Sequence, residues 1–182
     1  MRWFTEPYSG AGALPDPPWE NLAGTSTQTG GFLDATSAPS AQFRNDIAFG
    51  PEISASITIN SLSTNGLEVF YRYNPATGNG YSFRVSTSNG GTARISQLDA
   101  GVATTLDSVT GVGTANGDVF TVTVDVAGNH AAQKNGVAIA GLFVNDTTYA
   151  GTRIATFQPS TTDLIDQLVA YDRRHLAVLG SC

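Results

Sequence analysis

Hydrophobic and polar residues alternate with a period of two along almost the whole chain, and Gly and Asn turns interrupt the alternation repeatedly. Ile and Ala alternate with Ser, Thr and Asn over residues 53–60, and Phe and Val alternate mainly with Thr and Asp over 119–126. The corner Lys134-Asn135-Gly136-Val137 is typical of a tight hairpin, because Asn-Gly suits the positive φ angles of a type I′ turn. Repeated hairpins without intervening helices predict a two-sheet sandwich or a barrel.

One stretch, Thr162–Arg174, also fits a helical spacing, since Leu164, Ile165, Leu168 and Tyr171 lie three or four residues apart. Its aspartates are poor helix formers in interior positions, and Val-Ala-Tyr at 169–171 suits a strand. We therefore predict a strand here.

The chain divides into a long patterned body and two short ends. Residues 1–24 contain Pro15, Pro17 and Pro18, which cannot donate to a sheet ladder, so we predict an irregular arm. Residues 25–172 are predicted to form one sandwich, and 173–182 a tail. Within the body, Gly31–Asp34 and Gln42–Asn45 are predicted as two strands joined by a Ser/Ala/Pro turn.

Composition narrows the possible partners. Of the 182 residues, 13% are charged, against about 25% in typical domains, and the net charge is −6. This charge argues against binding a polyanion such as DNA. No apolar run approaches the roughly 18 residues of a membrane span, and the start lacks the apolar region of a signal peptide. The single cysteine, Cys182, predicts that no internal disulfide forms.

The order of features resembles the concanavalin A-like lectin/glucanase jelly roll, and more narrowly the laminin G-like domains of bacteriophage tail and capsid-surface proteins. The residues that carry the resemblance are Phe4, Gly10, Leu14, Trp19 and Gly24, then Gly31–Leu33, Glu52–Ile59, Gly80–Val85, Gly101–Leu106, Gly117–Val122, Lys134–Val137, Asp146–Gly151 and Ile165-Asp166. The resemblance covers residues 3–172. It implies two antiparallel sheets stacked face to face, one of them concave.

The patterns of catalytic and zinc sites are missing from the sequence. Glucanases of this jelly roll carry Glu-x-Asp-x-x-Glu on one strand, but Glu6, Glu20, Glu52 and Glu68 do not form that motif. There is no Gly-x-Ser-x-Gly elbow, and we interpret His130 and His175 as solvated surface residues. Two histidines and one cysteine do not assemble a typical zinc site. We therefore expect neither enzymatic activity nor a cofactor.

Ligand candidates remain. Aromatic rings stack on sugars and polar groups fix their hydroxyls, which makes the following residues the glycan-binding candidates: Tyr71, Tyr73, Tyr81, Tyr149, Trp19, Arg72 and Arg84. Asn145 and Asp146 are the calcium candidates, since laminin G-like domains bind Ca²⁺ through loop oxygens. The alternative is a turn in which these residues cap their own backbone, and we favour the turn. Asp118, Asn135 and Asp166 are interpreted as structural.

The resemblance predicts a non-enzymatic virion protein, either a minor tail protein or a capsid decoration protein. It would be made in the host cytoplasm, displayed on the particle surface and bound to other virion proteins, with host-surface glycan as a further partner. We expect a homo-oligomer or a lattice-bound subunit in which the 1–24 arm and the 173–182 tail make many of the contacts, since chain ends are usually disordered unless neighbouring subunits tie them down. The predicted contact residues are Trp3, Phe4, Tyr8, Trp19, Arg173 and Arg174. The alternatives are a stand-alone carbohydrate-binding module or adhesin and, third, a glycoside hydrolase.

Overall fold

The computed structural model describes residues 3–6, 12–13, 19–29 and 32–44 as strands, and residues 48–172 together with their side chains. Over these residues the elements are fourteen strands and one short 3₁₀ turn, Ser88–Gly90. The strands are β1 Trp3–Glu6, β2 Gly12–Ala13, β3 Trp19–Thr29, β4 Phe32–Arg44, β5 Ile53–Ser61, β6 Leu67–Asn74, β7 Asn79–Ser86, β8 Thr92–Asp99, β9 Val102–Thr110, β10 Val119–Val124, β11 Asn129–Lys134, β12 Val137–Asn145, β13 Arg153–Gln158 and β14 Leu164–Asp172.

The strands form two antiparallel sheets, which confirms the predicted sandwich. The first sheet has the order β12-β11-β10-β5-β14, and the second has the order β13-β6-β7-β8-β9. Strand β4 joins the two sheets, because Leu33 and Asp34 pair with β14 whereas Ser40–Phe43 pair with β13. Strand β3 pairs along β4, and β1 pairs with β14.

The core lies between the two sheets and is built by the alternation seen in the sequence. Ile53, Ala55, Ile57 and Ile59 of β5 are all buried there. Phe120, Val122 and Val124 of β10 join them, together with Leu67, Val69, Tyr71, Tyr81, Phe83 and Val85 of the second sheet. Burial of this apolar surface is the main stabilising contribution to the fold.

Most local predictions hold, and two differ. Residues 164–172 form a strand, as predicted. Residues 32–44 form one strand instead of two, and the predicted turn lies where β4 passes from one sheet to the other. Within the N-terminal arm, Trp3–Glu6 pairs with Leu168–Tyr171, and β3 begins at Trp19. The Pro-rich residues 14–18 and the tail 173–182 lie outside the described residues.

The Asn135-Gly136 corner forms the predicted hairpin. Both residues have positive φ, 51° and 79°. The Asn135 side-chain oxygen accepts the Val119 N–H at 2.8 Å, and its amide donates to Asp118 at 2.8 Å. Asp118 also accepts the Ala115 N–H at 2.7 Å. The structural interpretation of Asp118 and Asn135 is thereby confirmed. Among the described residues, no helix is long and apolar enough to cross a membrane.

Candidate functional site

The side of the second sheet that points away from the core, called here the outer face, carries an ordered set of side chains. Antiparallel register places residues from neighbouring strands side by side in rows. The first row is Phe157, Glu68, Arg84 and Arg94, and the second is Ala155, Phe70, Ser82, Ser96 and Thr105. The third row contains Arg153 beside Tyr73, and Gly80 beside Leu98 and Ala103.

Aromatic side chains occupy the β13–β6 side of the outer face. The Phe70 ring stacks on Phe157 with centroids 5.8 Å apart, and it contacts Tyr73 at 5.3 Å. Tyr73, Leu98 and Ala155 form a buried cluster with Phe70, separate from the main core. Of these three rings only Phe70 and Phe157 are partly exposed, so these two rings are the aromatic surface on the same face as the charged row.

The charged row places two guanidinium groups around one carboxylate. Glu68 Oε1 lies 3.4 Å from Arg94 Nη2 and 3.9 Å from Arg84 Nη1. Glu68 is 6% exposed, whereas both arginines reach solvent. Burial raises the pKa of the Glu68 carboxyl above its usual value, while the charges of Arg84 and Arg94 lower it by a smaller amount. One carboxylate therefore offsets at most one of the two guanidinium charges.

Beside this row a polar groove of about 210 Å³ opens at one end of β7 and β8. Its lining side chains are hydroxyls, an amide and the two guanidinium groups: Thr64, Arg84, Ser86, Ser88, Asn89, Thr92 and Arg94. Ser88 Oγ donates to the Thr64 carbonyl at 2.9 Å, and Thr92 Oγ1 donates to the Ser88 carbonyl at 2.9 Å. These bonds fix the 3₁₀ turn against the groove and leave the Asn89 side chain exposed.

A buried carboxylate holds the opposite wall of the groove. Asp163 is fully buried and accepts hydrogen bonds from the Ser63 N–H and, at 3.0 Å, from the Ser63 hydroxyl. Ser63 in turn accepts the Asn65 N–H at 3.1 Å, and the Asn65 carbonyl accepts a hydrogen bond from Arg84 Nη2. The loop between β5 and β6 is therefore tied to both β14 and β7.

Three buried polar atoms on or near this face have no hydrogen-bond partner: Ser82 Oγ, Ser96 Oγ and Arg94 Nε. The two serines are neighbours in the second row. Buried polar groups are normally paired, so each of these atoms keeps an unused hydrogen-bonding capacity. Arg94 lines the groove with its partly exposed guanidinium group, whereas its Nε is buried.

A second hollow of about 350 Å³ lies at the other end of the outer face. Tyr73, Asn74, Pro75, Gly151 and Arg153 contribute to its lining. The row of Ser86 and Thr92 and the row of Tyr73 are separated by three steps of two residues each along the strands. This corresponds to a distance of roughly 20 Å. The outer face is therefore long enough for an extended ligand.

A buried polar network connects the second sheet with the loop after β12. The Tyr71 hydroxyl lies 2.8 Å from His130 Nδ1, and His130 Nε2 lies 2.9 Å from the Asp146 carbonyl oxygen. A carbonyl accepts only, so Nε2 carries the proton, and Nδ1 accepts from Tyr71. The Tyr81 hydroxyl donates to Asp146 Oδ1 at 2.5 Å and accepts the Tyr149 N–H at 3.2 Å.

The pKa values of these groups are shifted in different directions. Burial lowers the pKa of the His130 imidazole, against a smaller opposite effect of the Asp146 carbonyl. Burial and the bond to Asp146 raise the pKa of Tyr81 to about 12. For Asp146, burial acts to raise the pKa, but the bonds from Tyr81 and Thr148 lower it below its usual value. His130 is therefore neutral and Asp146 ionised near neutral pH.

The fold can now be compared with known structures. The exoplasmic/lumenal domain of VIP36 in its metal-free form matches with a TM-score of 0.67 and 11% identity, covering 93% of this chain and 91% of that domain. The carbohydrate recognition domain of Emp47p matches with a TM-score of 0.62 and 13% identity, over 92% of this chain and 96% of the other. Carbohydrate-binding module CBM66 from Bacillus subtilis matches with a TM-score of 0.60 and 12% identity, over 85% and 92%.

The fold is the concanavalin A-like β-sandwich. No protein-family model matches the chain, and no curated protein matches it in sequence. The likeness to solved structures at these identities concerns the fold alone.

On this concanavalin A-like sandwich, two of the predicted ligand residues lie on the outer face, Tyr73 and Arg84. Tyr71 and Tyr81 point between the sheets and are 1% and 0% exposed, so they present no surface for a sugar ring. Arg72 is buried and donates to the Pro51 and Asp125 carbonyls. Tyr149 packs edge-on against Tyr81 at 6.0 Å. The ligand role of these residues remains a prediction, and their geometry favours Arg84, since Tyr73 is only 7% exposed.

The interpretation of His130 as a solvated surface residue is wrong. Its side chain is fully buried, because Tyr71 and the Asp146 carbonyl satisfy both ring nitrogens. The turn interpretation of Asn145 and Asp146 agrees with the structure, since Asp146 Oδ1 accepts the Thr148 N–H at 2.7 Å. Within the described part of the chain, no cluster of three His, Cys, Asp or Glu side chains could hold a metal ion.

The predicted assembly contacts are not placed by the structure at the level of side chains. Tyr8, Arg173, Arg174 and also His175 lie outside the described residues, and for Trp3, Phe4 and Trp19 only the strand is described. Conversely, the sequence analysis missed Glu68, Arg94, Ser96 and the loop 86–89 as parts of a site. The strand residues among them share one signal in the sequence: they are polar residues at alternate positions of β6, β7 and β8.

His130 predicts a loss of stability on acidification. Its pKa is lowered in the folded protein, so the unfolded chain takes up the proton first, at about pH 6.5. The stability from neutral His130 is therefore present above that pH and is lost as the pH falls towards the lowered value. Urea unfolding from about pH 7.5 to about pH 5.5, in a His175→Gln background, measures this loss. The same pH dependence in a variant that also lacks His130 would contradict it.

Proposed function

We propose that this domain is a non-enzymatic carbohydrate-binding module that holds a glycan on the outer face of its second sheet, with the groove beside the 3₁₀ turn as the main contact. The carrying observation is the groove itself, whose lining consists of hydroxyl, amide and guanidinium side chains. Such groups form the directional hydrogen bonds that distinguish sugar hydroxyls.

The aromatic side chains of the same face support the proposal. Sugar rings present C–H faces that pack on aromatic rings, and the partly exposed rings of Phe157 and Phe70 lie on the first and second rows, beside the groove. The roughly 20 Å between the groove and the hollow at Tyr73 suits an oligosaccharide lying along the strands.

The similar structures also favour a glycan ligand. One is named a carbohydrate-binding module, another a carbohydrate recognition domain, and the VIP36 domain is known in a form bound to Ca²⁺ and Man2. We propose a related class of ligand for this chain, with contacts made by its own groove. For calcium we make no such proposal, because Asp146 is committed to Tyr81 and Thr148.

The side chains in the three rows of the outer face support binding without catalysis. Retaining and inverting glycosidases need two carboxyl groups on either side of the scissile bond. Glu68 is the single carboxylate in the three rows over the described side chains, and it is engaged by Arg84 and Arg94. We therefore propose binding without cleavage.

A place on a phage particle, as a minor tail protein or a capsid decoration protein, remains a second proposal that rests on the sequence resemblance. In that setting the outer face would contact host-surface glycan, and the two chain ends would contact other virion proteins. Cryo-electron microscopy of phage particles that co-purify with this protein tests this, and the absence of density for the domain on the particle surface would oppose it.

A printed array of neutral and acidic oligosaccharides, probed with the intact chain, tests the main proposal. We expect selective binding, and we expect Asn89→Gly to weaken it about two- to tenfold, as one lost hydrogen bond predicts. Asn89 has a φ of 52°, so glycine at this position removes the amide without straining the backbone. Thr104→Ala on β9 is the matched control, since Thr104 pairs with Gln97 outside the three rows. Absence of binding to every oligosaccharide overturns the proposal.

A further inference from the structure

The charge of the groove identifies a narrower class of ligand. Arg84 and Arg94 line it together, and the described lining residues include no Asp or Glu. The nearest carboxylate, Glu68, lies behind them on β6 and is 3.4 Å and 3.9 Å from the two guanidinium groups. These distances exceed the roughly 2.7–2.9 Å of a strong charge-assisted hydrogen bond. The groove therefore holds a positive charge in a chain whose net charge is −6.

The donors of the two arginines are only partly used. Among the described residues, the Arg94 guanidinium makes one polar contact, from Nη2 to Glu68, and the side chain is 28% exposed. Arg84 donates to the Asn65 carbonyl from Nη2 and lies at a longer distance from Glu68 through Nη1. A guanidinium group offers its N–H donors in a fork that matches a planar carboxylate.

We infer that the groove selects a carboxylate-bearing sugar, a uronate residue of an acidic glycan, whose carboxylate pairs with Arg84 and Arg94 while its hydroxyls contact Ser86, Asn89 and Thr92. This inference rests on the proposed function and specifies its ligand class. The groove volume of about 210 Å³ suits one monosaccharide unit better than a larger ligand. A planar carboxylate matches the fork geometry of the arginines.

Three probes separate charge from sugar recognition: tri-galacturonic acid, its methyl ester, and neutral maltotriose. Isothermal titration of the intact chain should show binding of the acid, with the ester weaker by about tenfold to a hundredfold, as the loss of a charged hydrogen-bond partner predicts. Raising the salt concentration from about 0.01 M to about 1 M shortens the Debye length from about 30 Å to about 3 Å. This change should weaken binding of the acid far more than binding of maltotriose.

Two variants locate the effect in the groove. Arg94→Gln should remove most of the preference for the acid over the ester. Glu68→Gln should instead strengthen binding of the acid several-fold, because it removes the carboxylate that competes for both arginines. If Glu68 only stabilised the fold, its substitution would not strengthen binding of the acid. Stronger binding can be observed only if the variant is folded, so the measurement also reports on folding.

The outcomes distinguish the two proposals. Equal binding of acid, ester and maltotriose overturns the uronate inference and leaves a carbohydrate-binding module. A preference for the acid that persists in Arg94→Gln and is unchanged in Glu68→Gln also overturns it, because the carboxylate would then bind elsewhere. Failure of these three probes and of every oligosaccharide on the array overturns both proposals.

Discussion

His130→Ala is expected to destabilise the protein by about 3–5 kcal/mol. The substitution leaves a cavity where the imidazole packs against Tyr81, with centroids 4.4 Å apart. It also leaves the Tyr71 hydroxyl and the Asp146 carbonyl without their partner in a buried site. Since a domain of this kind is stable by about 5–15 kcal/mol, the loss is a large fraction of the total. Urea unfolding at neutral pH measures it, and the midpoint of thermal unfolding should fall by about 6–20 °C.

Two further variants test whether the network causes this loss. Gln133→Ala lies on the same strand and faces the opposite side, so it should change stability by less than about 0.5 kcal/mol. Tyr71→Phe combined with His130→Ala should cost less than the sum of the two single variants, because both remove the same hydrogen bond. Additive costs, or a loss below about 1 kcal/mol for His130→Ala, would contradict a role of His130 as a buried connector.

The alternation of the sequence was sufficient to predict the sandwich, because it fixes which face of each strand is buried. The hairpin at Asn135-Gly136 was also predictable, since the φ angles that it needs restrict the residue types. The continuity of β4 could not be predicted from the sequence. Its Ser, Ala and Pro residues have turn propensity, yet pairing with β14 at one end and with β13 at the other keeps the backbone extended. Tertiary pairing of this kind overrides local propensity.

The candidate site was less predictable, for a related reason. Aromatic residues were chosen by type, but Tyr71 and Tyr81 occupy the core-facing positions of their strands and Tyr73 does not, because the backbone is irregular at Arg72, where φ is 45°. Glu68, Arg84 and Arg94 are far apart in sequence, and only the register of three strands brings them into one row. His130 was misjudged because a lone histidine beside a turn gives no sign of the two partners that bury it.

The same contacts would link the proposed glycan binding to stability. The groove wall at 63–66 is held by Asp163 from the far end of the chain and by Arg84 from β7. A change in this loop should therefore affect both the fold and the proposed ligand contacts, whereas a change in the 135–136 hairpin should affect the fold less and the groove not at all. The two loops each contain a glycine with a φ of 79°, which allows a matched comparison.

Gly66→Ala is expected to destabilise the protein by about 3 kcal/mol or more and to abolish glycan binding. A methyl group at Gly66 would overlap the Val85 carbonyl oxygen and lie 2.6 Å from Ser86 Cβ, so the loop would have to move away from β7. Ser86 and Thr64 both line the groove, which would change shape with the loop. A methyl group at Gly136 would have no atom within 4 Å, so Gly136→Ala should cost only the strain of a positive φ, about 1–2 kcal/mol. Urea unfolding of both variants, with array binding of the folded fraction, measures the difference. Equal costs for the two substitutions, or unchanged glycan binding by Gly66→Ala, would show that the loop packs less tightly on β7 than its contacts imply.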